Sequence, residues 1–338
     1  MNAKSLLIAM VLSSVVCAAD PADSPSAAPV AARPVRILAI GNSFSLSLCR
    51  FFPTAAAAEG FPVEFCNLYI GGCPLDRHVE NIRKAAEDPE FDPYEVRWFH
   101  ADRPASPIKF KSNIPQMLAT QAWDFVTIQQ ASPKSWKPET YRPAADELIA
   151  EIHRLAPQAE IIVHQTWAYN ARDARLNPGE KSWGFDQAGM SARVEDAYSK
   201  LADAFGFRTI PCGAAVRLRR SALAEAGRAF DPASLDLLAP GEKPDLRGDP
   251  VGSFRWENND AAARAEGSTP TLGADTIHLN ALGQYLQAVT WLAFFSGRDP
   301  RTFSFAPVDV REGSPEEFAG LRAAAALALE EQRGKERK

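Results

Sequence analysis

A serine hydroxyl follows a short apolar stretch near the start of the chain. Residues 35–40 are typical of a strand buried on both faces, and Gly41-Asn42 provides a turn immediately before Ser43. Apolar residues then recur at helical spacing, which predicts a helix beginning within a few residues of Ser43. The amides at the N-terminus of that helix face the same space as the hydroxyl, an arrangement that suits a developing oxyanion. The alternative is a serine that only caps the helix.

A carboxylate and an imidazole lie three residues apart near the other end of the chain. Asp275 and His278 precede a helix predicted to begin near Asn280. Groups at this spacing lie on one face of a helical turn, so the carboxylate can keep one ring nitrogen protonated and leave the other free to accept a proton. Together with Ser43 they supply a nucleophile, a base and a group that orients the base. The alternative is a histidine that packs in the core or lies on the surface and has no catalytic role.

These segments resemble the SGNH (GDSL-type) hydrolase superfamily. Gly41-Asn42-Ser43-Phe44 is similar to its first block, Asp275-x-x-His278 to its last, and the Gly-Gly turn that contains Gly72 to its second. The resemblance extends from about residue 35 to 295. It is strongest to a poorly characterised bacterial branch, in which glutamine follows the third strand and His-Gln-Thr-Trp the fourth.

The resemblance implies roles for individual residues. Ser43 is the expected nucleophile, His278 its base and Asp275 the group that orients His278. The amides of Ser43 and Gly72 are the expected oxyanion donors, and the superfamily adds an asparagine side chain from a Gly-x-Asn-Asp block. This chain has no such block, and Gln129 is predicted to donate in its place. The alternative is that Gln129 only ties down a loop.

Aromatic and imidazole side chains after the fourth predicted strand provide a candidate subsite. His164 and Trp167 could line the pocket for the acyl group or a sugar, because indole rings offer flat apolar faces with a polar edge. Ordinary packing of aromatic side chains is the alternative. His78 and His100 are predicted to lie on the surface or in loops.

The element pattern predicts an α/β fold of the flavodoxin-like, three-layer type, with a five-stranded parallel sheet and helices on both faces. The predicted strands are residues 35–40, 63–69, 124–128, 160–163 and 207–210. In open parallel sheets the reactive crevice lies outside the carboxyl ends of the strands. Four candidate side chains or turns follow these strands, and we expect them to converge there: Ser43, Gly72, Gln129 and His164.

The domain organisation follows from the same pattern. Residues 35–300 form the predicted hydrolase domain, with a hairpin-like insertion over the site at about 93–113 and a loop insertion at about 226–274. Residues 301–338 form a C-terminal extension, in which a helix from Pro315 to Glu331 runs into a basic tail.

The first residues have the pattern of a secretory signal peptide. Lys4 precedes an apolar run over residues 6–16, and small residues lead to a predicted cleavage site near Ala19. We therefore expect a signal peptide at 1–19, a flexible leader at 20–34, and an exported protein, periplasmic or extracellular, with no membrane association after cleavage. A lipoprotein anchored at Cys17 is the alternative.

Composition narrows the class of partner. The net charge of −5 gives no reason to expect nucleic acid, and the 46% of apolar residues is ordinary for a globular chain. No C-x-x-C pair occurs, so no metal site is predicted, and no organic cofactor is implied. Export leaves two states open for four cysteines, bridged or buried as free thiols: Cys49, Cys66, Cys73 and Cys212.

The sequence as a whole indicates a secreted serine esterase that hydrolyses a carboxylic ester, an O-acyl (acetyl) group, through an acyl-enzyme, with a small molecule or polysaccharide as substrate. The carbohydrate carrier follows from the resemblance and from export. Two alternatives stay open: a non-catalytic glycan-binding protein on a hydrolase scaffold, and an O-acyltransferase that uses the same three residues. The pattern predicts no oligomeric state.

Overall fold

A seven-stranded sheet forms the centre of the protein. The computed structural model describes residues 33–337, and the strand order in the central sheet is β4-β3-β2-β1-β5-β6-β7. A separate two-stranded sheet pairs β8 with β9. The strands are Val35–Gly41 (β1), Val63–Tyr69 (β2), Tyr94–Phe99 (β3), Ile108–Ser112 (β4), Phe125–Ile128 (β5), Glu160–His164 (β6), Arg208–Ile210 (β7), Val251–Glu257 (β8) and Thr271–Leu279 (β9).

The five predicted strands form the parallel part of the sheet. β1 pairs in parallel with β2 and β5, and β5, β6 and β7 continue in parallel. Residues 37–40 of β1 are fully buried, as expected for a strand covered on both faces. The predicted three-layer α/β class is confirmed, with the sheet flanked by helices.

The sheet has two strands more than predicted. The insertion at 93–113 is a hairpin, but it extends the central sheet, because β3 pairs antiparallel with β2 and β4 with β3. Tyr94 and Val96 are buried on one face, whereas Arg97 and Lys109 lie opposite each other on the other face. These two cations break the apolar alternation that identifies a strand, which is why the sequence predicted a hairpin-like insertion and not two strands of the central sheet.

Helices pack in two groups. α3, α4 and α5 contact one another, and α9 contacts α2, α7 and α10. The helices are Ser43–Leu46 (α1), Phe52–Ala58 (α2), Leu75–Glu87 (α3), Ile114–Ala119 (α4), Ala144–Leu155 (α5), Gln187–Phe205 (α6), Cys212–Glu225 (α7), Ala261–Ala265 (α8), Ala281–Ser296 (α9) and Pro315–Glu336 (α10). The C-terminal helix is thus longer than predicted, since it includes most of the basic tail.

The second insertion carries regular structure. Residues 226–274 were predicted as a loop, but they include β8, α8 and the first part of β9. The prediction was wrong because Phe254 and Trp256 are the only large apolar residues that alternate with the exposed Ser253, Arg255 and Glu257, and so short a repeat is not distinctive in a stretch rich in Pro, Gly, Asp and Arg. This hairpin matters for the site because β9 contains Asp275 and His278.

The four cysteines between residues 33 and 337 are free thiols, and Cys66, Cys73 and Cys212 are buried. Between residues 33 and 337 no helix is long and apolar enough to cross a membrane. The predicted signal peptide at 1–19, and residues 20–32 of the predicted leader, lie outside the described residues.

Candidate active site

The fold brings the serine, the imidazole and the carboxylate together. Ser43 and His278 are 235 residues apart in sequence, yet the Ser43 Oγ lies 2.8 Å from the His278 Nε2. The other ring nitrogen, Nδ1, lies 2.8 Å from the Asp275 Oδ2. Both contacts are within the range in which a base takes a proton from a nucleophile and a carboxylate orients that base.

The backbone before Ser43 is fixed by close packing. Ser43 is the first residue of α1, and Asn42 caps the helix by accepting a hydrogen bond from the Phe44 amide at 3.1 Å. A Cβ on Gly41 would lie 2.5 Å from the Ser45 Oγ, so only glycine fits between β1 and the helix that follows. The Ser43 amide, as the first in its helix, has no intrahelical acceptor and is available to an oxyanion.

Asp275 and His278 are brought together by an irregular strand end. The sequence predicted a helical turn here, and this was wrong, because both residues belong to β9. Asp275 lies opposite Ser253, whereas Leu279 lies opposite Val251, so β9 bulges between the two. The Asp275 Oδ1 accepts the Ile277 and His278 amides at 3.0 and 3.1 Å and closes this bulge. A helix does follow, with Asn280 as its cap.

Hydrogen bonding keeps Asp275 ionised. Partial burial alone raises the pKa of its carboxyl, but hydrogen bonds from the His278 ring and from the His278 and Ile277 amides outweigh this effect. The pKa is therefore lowered to about 2. A carboxylate that stays charged can stabilise the imidazolium that forms when His278 takes a proton.

Residues 167–173 hold the bulge from behind. The Trp167 indole donates to the Ile277 carbonyl at 2.9 Å, and the backbone amide of Asn170 donates to the Thr276 carbonyl at 2.8 Å. The Thr276 hydroxyl donates to the Asp173 Oδ2 at 2.6 Å. Sequence reasoning missed Asn170, Asp173 and Thr276, since their contacts join segments about 100 residues apart.

Trp167 does not line the pocket. It was predicted as a substrate-binding residue, but its side chain is only 1% exposed. Its ring stacks on Phe44, with centroids 4.2 Å apart, while its N–H binds the carbonyl next to His278. Trp167 therefore contacts both the residue after Ser43 and the residue before His278. It acts as a positioning residue for the two and does not contact the groove.

His164 lies in the core. It was also predicted as a substrate-binding residue, but it is fully buried, 3.2 Å from the Gln287 amide and edge-on to Trp291. Burial lowers the pKa of its imidazole to about 3, so the ring is neutral. Although His164 ends β6, its side chain points into the helix layer, a direction that strand position alone does not give. His78 was predicted to be on the surface and is buried as well, beside the Tyr94 hydroxyl at 2.8 Å.

Two of the three predicted oxyanion donors, Ser43 and Gly72, lie in turns that follow neighbouring parallel strands. Gly72 lies in the exposed turn after β2, which pairs with β1 up to Gly41. Its φ of +61° is a conformation that favours glycine. The Asn42 side chain donates to the Cys73 carbonyl at 3.1 Å and so ties this turn to the one that carries Ser43.

Gln129 is placed differently from the prediction. Its side chain is 2% exposed, and its Nε2 donates to the Asn42 Oδ1 at 2.7 Å. The amide that was predicted to reach an oxyanion is thus used to orient the cap of α1. A glutamine is one methylene longer than the asparagine of the Gly-x-Asn-Asp block, and here that length allows it to reach Asn42 beneath Gly41.

A groove of about 510 Å³ opens beside Ser43 and His278. Its walls are α1 with the 3₁₀ segment Ser47–Arg50 on one side and the β3–β4 hairpin on the other. Among residues 33–337, no group of three or more His, Cys, Asp or Glu side chains is arranged to hold a metal ion. The groove is lined by Ser43, Leu46, Ser47, Cys49, Arg50, Arg97, Phe99, Ala105, Pro107, Lys109, His278 and Gln284.

Comparison with known proteins places the chain in a family. The family model DUF4886, described as a domain of unknown function, matches residues 36–235. A crystal structure of a DUF4886 family protein from Bacteroides uniformis is 26% identical with a TM-score of 0.66, covering 88% of this chain and 95% of that one. No curated protein matches the sequence significantly.

Two further solved structures are less similar. One is a candidate SGNH hydrolase from Slackia heliotrinireducens, 20% identical with a TM-score of 0.43, covering 78% of this chain and 100% of that one. The other is a candidate GDSL-like lipase from Parabacteroides merdae, 14% identical with a TM-score of 0.42, covering 79% and 97%.

Proposed function

The chain belongs to the DUF4886 family, and we propose that it is an exported serine esterase that removes an acyl group from a carbohydrate. One observation carries the proposal: the unbroken contact from the Ser43 hydroxyl through the His278 ring to the Asp275 carboxylate, with both distances 2.8 Å. A serine that only capped a helix would not need an imidazole and an ionised carboxylate aligned behind it.

The proposed reaction has two halves. The Ser43 Oγ attacks the ester carbonyl while the His278 Nε2 takes the hydroxyl proton, and the proton then passes to the leaving alkoxide as the ester bond breaks. Water attacks the resulting acyl-serine, again giving a proton to His278, and release of the acid returns the proton to Ser43. Asp275 stabilises the imidazolium in both halves.

Backbone amides are the proposed oxyanion donors. The Ser43 amide and the Gly72 amide follow neighbouring parallel strands, and the Asn42–Cys73 hydrogen bond links their turns. Losing one such donor typically costs about 3–4 kcal/mol in the barrier. We assign Gln129 the role of holding Asn42, and through it the start of α1, rather than that of a third donor.

The carbohydrate carrier and the acetyl group are supported by export and by the family resemblance. The signal peptide predicted at 1–19 would direct the chain out of the cytoplasm. Acylated glycans are available as substrates outside the cytoplasm. The groove beside Ser43 is open and large enough for several sugar units, as a polymeric carrier requires.

Hydrolysis of p-nitrophenyl acetate by the purified chain tests the proposal. Ser43→Ala should lower kcat by at least about 10³-fold, because the acyl-enzyme cannot form. Ser221→Ala, which changes an exposed serine on α7, is the matched control and should hydrolyse the ester at the wild-type rate. Equal rates for wild type and Ser43→Ala would rule out Ser43 as the nucleophile.

A further inference from the structure

The groove beside the triad is lined by cations. Arg50, Arg97 and Lys109 contribute to its walls, and none of the described residues that line it is an aspartate or glutamate. This contrasts with the chain as a whole, which has a net charge of −5. A local excess of positive charge next to a nucleophile raises the local concentration of anions.

Two of these cations lie directly opposite each other. Arg97 on β3 pairs in register with Lys109 on β4, and Phe99, two residues from Arg97, lies on the same face of the hairpin and also lines the groove. Like charges in directly opposed positions destabilise an antiparallel pair. The neighbouring pair on this face, Glu95 with Lys111, has opposite charges.

Neither cation of the opposed pair is neutralised by the protein. Within residues 33–337, no carboxylate lies within 4.0 Å of the Arg97 or Lys109 side chain. Other surface arginines do have such partners: Arg208 binds Glu160 at 2.6 Å, and Arg50 in the same groove binds Asp309 at 3.0 Å. The hairpin therefore presents two positive charges that form no ion pair with a carboxylate of residues 33–337.

Arg97 and Lys109 lie on the hairpin wall of the groove, opposite the wall formed by α1, which carries Ser43. An acetyl group is uncharged, so it cannot be the anion that these two cations bind. The anionic group that the cations would bind must therefore belong to the carrier.

We infer that the carrier is an anionic glycan, and that Arg97 and Lys109 bind a carboxylate or sulfate on a sugar away from the acylated one. This inference rests on the proposed esterase function, whose substrate class it narrows. An anion between the two side chains would offset the repulsion within the hairpin and form charge-assisted hydrogen bonds, bidentate in the case of arginine.

Inhibition of p-nitrophenyl acetate hydrolysis by unacylated oligosaccharides tests the inference. Oligogalacturonate should inhibit the wild type at a concentration at least about tenfold lower than a malto-oligosaccharide of equal length, and 0.5 M NaCl should weaken that inhibition. A sulfated glucan oligomer separates the two anions: inhibition by either one supports the inference and identifies the group. Equal inhibition by charged and neutral oligomers would overturn it.

Variants of the hairpin locate the binding groups. Arg97→Gln and Lys109→Gln should each raise the half-inhibitory concentration of the effective anion about tenfold, measured against each variant's own uninhibited rate. Lys111→Gln, an identical charge change on the same strand but outside the groove lining, should leave that concentration unchanged. Equal effects of Lys109→Gln and Lys111→Gln would contradict a site at the opposed pair.

Calorimetric titration of Ser43→Ala with the same oligomers separates this inference from the proposed function. If Ser43→Ala binds the anionic oligomer but the wild type does not hydrolyse p-nitrophenyl acetate, the anion site is retained and the esterase is refuted. If the wild type hydrolyses p-nitrophenyl acetate but Ser43→Ala binds the anionic and neutral oligomers equally, the esterase is retained and the anion site is refuted.

Discussion

The two ends of the candidate site are built differently. The serine end belongs to the core of the central sheet, where Asn42 and Gln129 are each 2% exposed. The histidine end belongs to the β8–β9 hairpin, and the His278 and Asp275 side chains are 43% and 41% exposed. The nucleophile is therefore fixed by packing, whereas the base depends on polar contacts from residues 167–173.

The difference predicts distinct consequences of mutation. A change at the serine end should affect folding stability as much as catalysis, since its side chains are part of the core. A change at the histidine end should affect catalysis with little loss of stability, since its groups are held at the surface.

The largest effect is expected at Asp275. Asp275→Asn should lower kcat for p-nitrophenyl acetate by about 10⁴-fold, because the amide can no longer fix the ring tautomer or stabilise an imidazolium. The midpoint of urea unfolding should change little, since the asparagine oxygen can still accept the Ile277 and His278 amides. A loss of activity below tenfold would contradict the assignment of Asp275.

Buried histidines should dominate the pH dependence of stability. Burial lowers the pKa of both His78 and His164 to about 3, below the ordinary value of about 6.5 in the unfolded chain. The unfolded state therefore binds two protons that the folded state does not, so stability falls as pH decreases through 6.5 towards 3. The expected slope is about 2.7 kcal/mol per pH unit near pH 5.

Urea unfolding at several pH values between 7 and 5 measures this slope. His164→Gln should reduce it by about half, and the double variant with His78→Gln should nearly abolish it. An unchanged slope in the double variant would show that neither imidazole is held neutral in the folded protein.

A smaller effect on catalysis is expected at Trp167. Trp167→Phe keeps a ring against Phe44 but removes the donor to the Ile277 carbonyl, so kcat should fall about 10–100-fold through misplacement of His278. The control is Trp123→Phe, because Trp123 is also fully buried and donates to a backbone carbonyl, that of Met117 at 2.8 Å. Both variants should lose about 1–3 kcal/mol of unfolding free energy. A fall in kcat of equal size in both would contradict a positioning role for Trp167.

The smallest effect on catalysis is expected at Gln129. Removal of an oxyanion donor typically lowers kcat by about 10²–10³-fold, whereas loss of a group that supports Asn42 should lower it less than about tenfold. Gln129→Ala should also reduce the unfolding free energy by about 1–3 kcal/mol, since it removes a buried hydrogen bond to the Asn42 Oδ1 and leaves a cavity in the core. A 10²-fold loss of kcat with unchanged stability would restore the sequence-based role.

The serine end was largely predictable from the sequence. An apolar run, a Gly-Asn turn and a helical repeat are local signals, and the structure has β1, the turn and α1 where these signals occur. The parallel strands were found for the same reason. The direction of the side chains at the strand ends was not predictable, because His164 and Trp167 follow β6 as expected but pack inward against other elements.

The histidine end was predictable only in its residue types. The Asp-x-x-His spacing identified the pair, but a helical turn and a strand bulge both bring residues three apart onto one side. The choice between them depends on β8 and on residues 167–173, which lie far away in sequence. Strands β3 and β4 were not identified for a different reason, since cations occupy positions where apolar residues would mark a buried face.

Covalent labelling tests the central claim most directly. After treatment of the wild-type chain with a fluorophosphonate, mass spectrometry of the peptides should find one adduct, on Ser43, and His278→Ala should label far more slowly because no base takes the hydroxyl proton. Absence of an adduct on Ser43, or labelling of His278→Ala at the wild-type rate, would contradict the account.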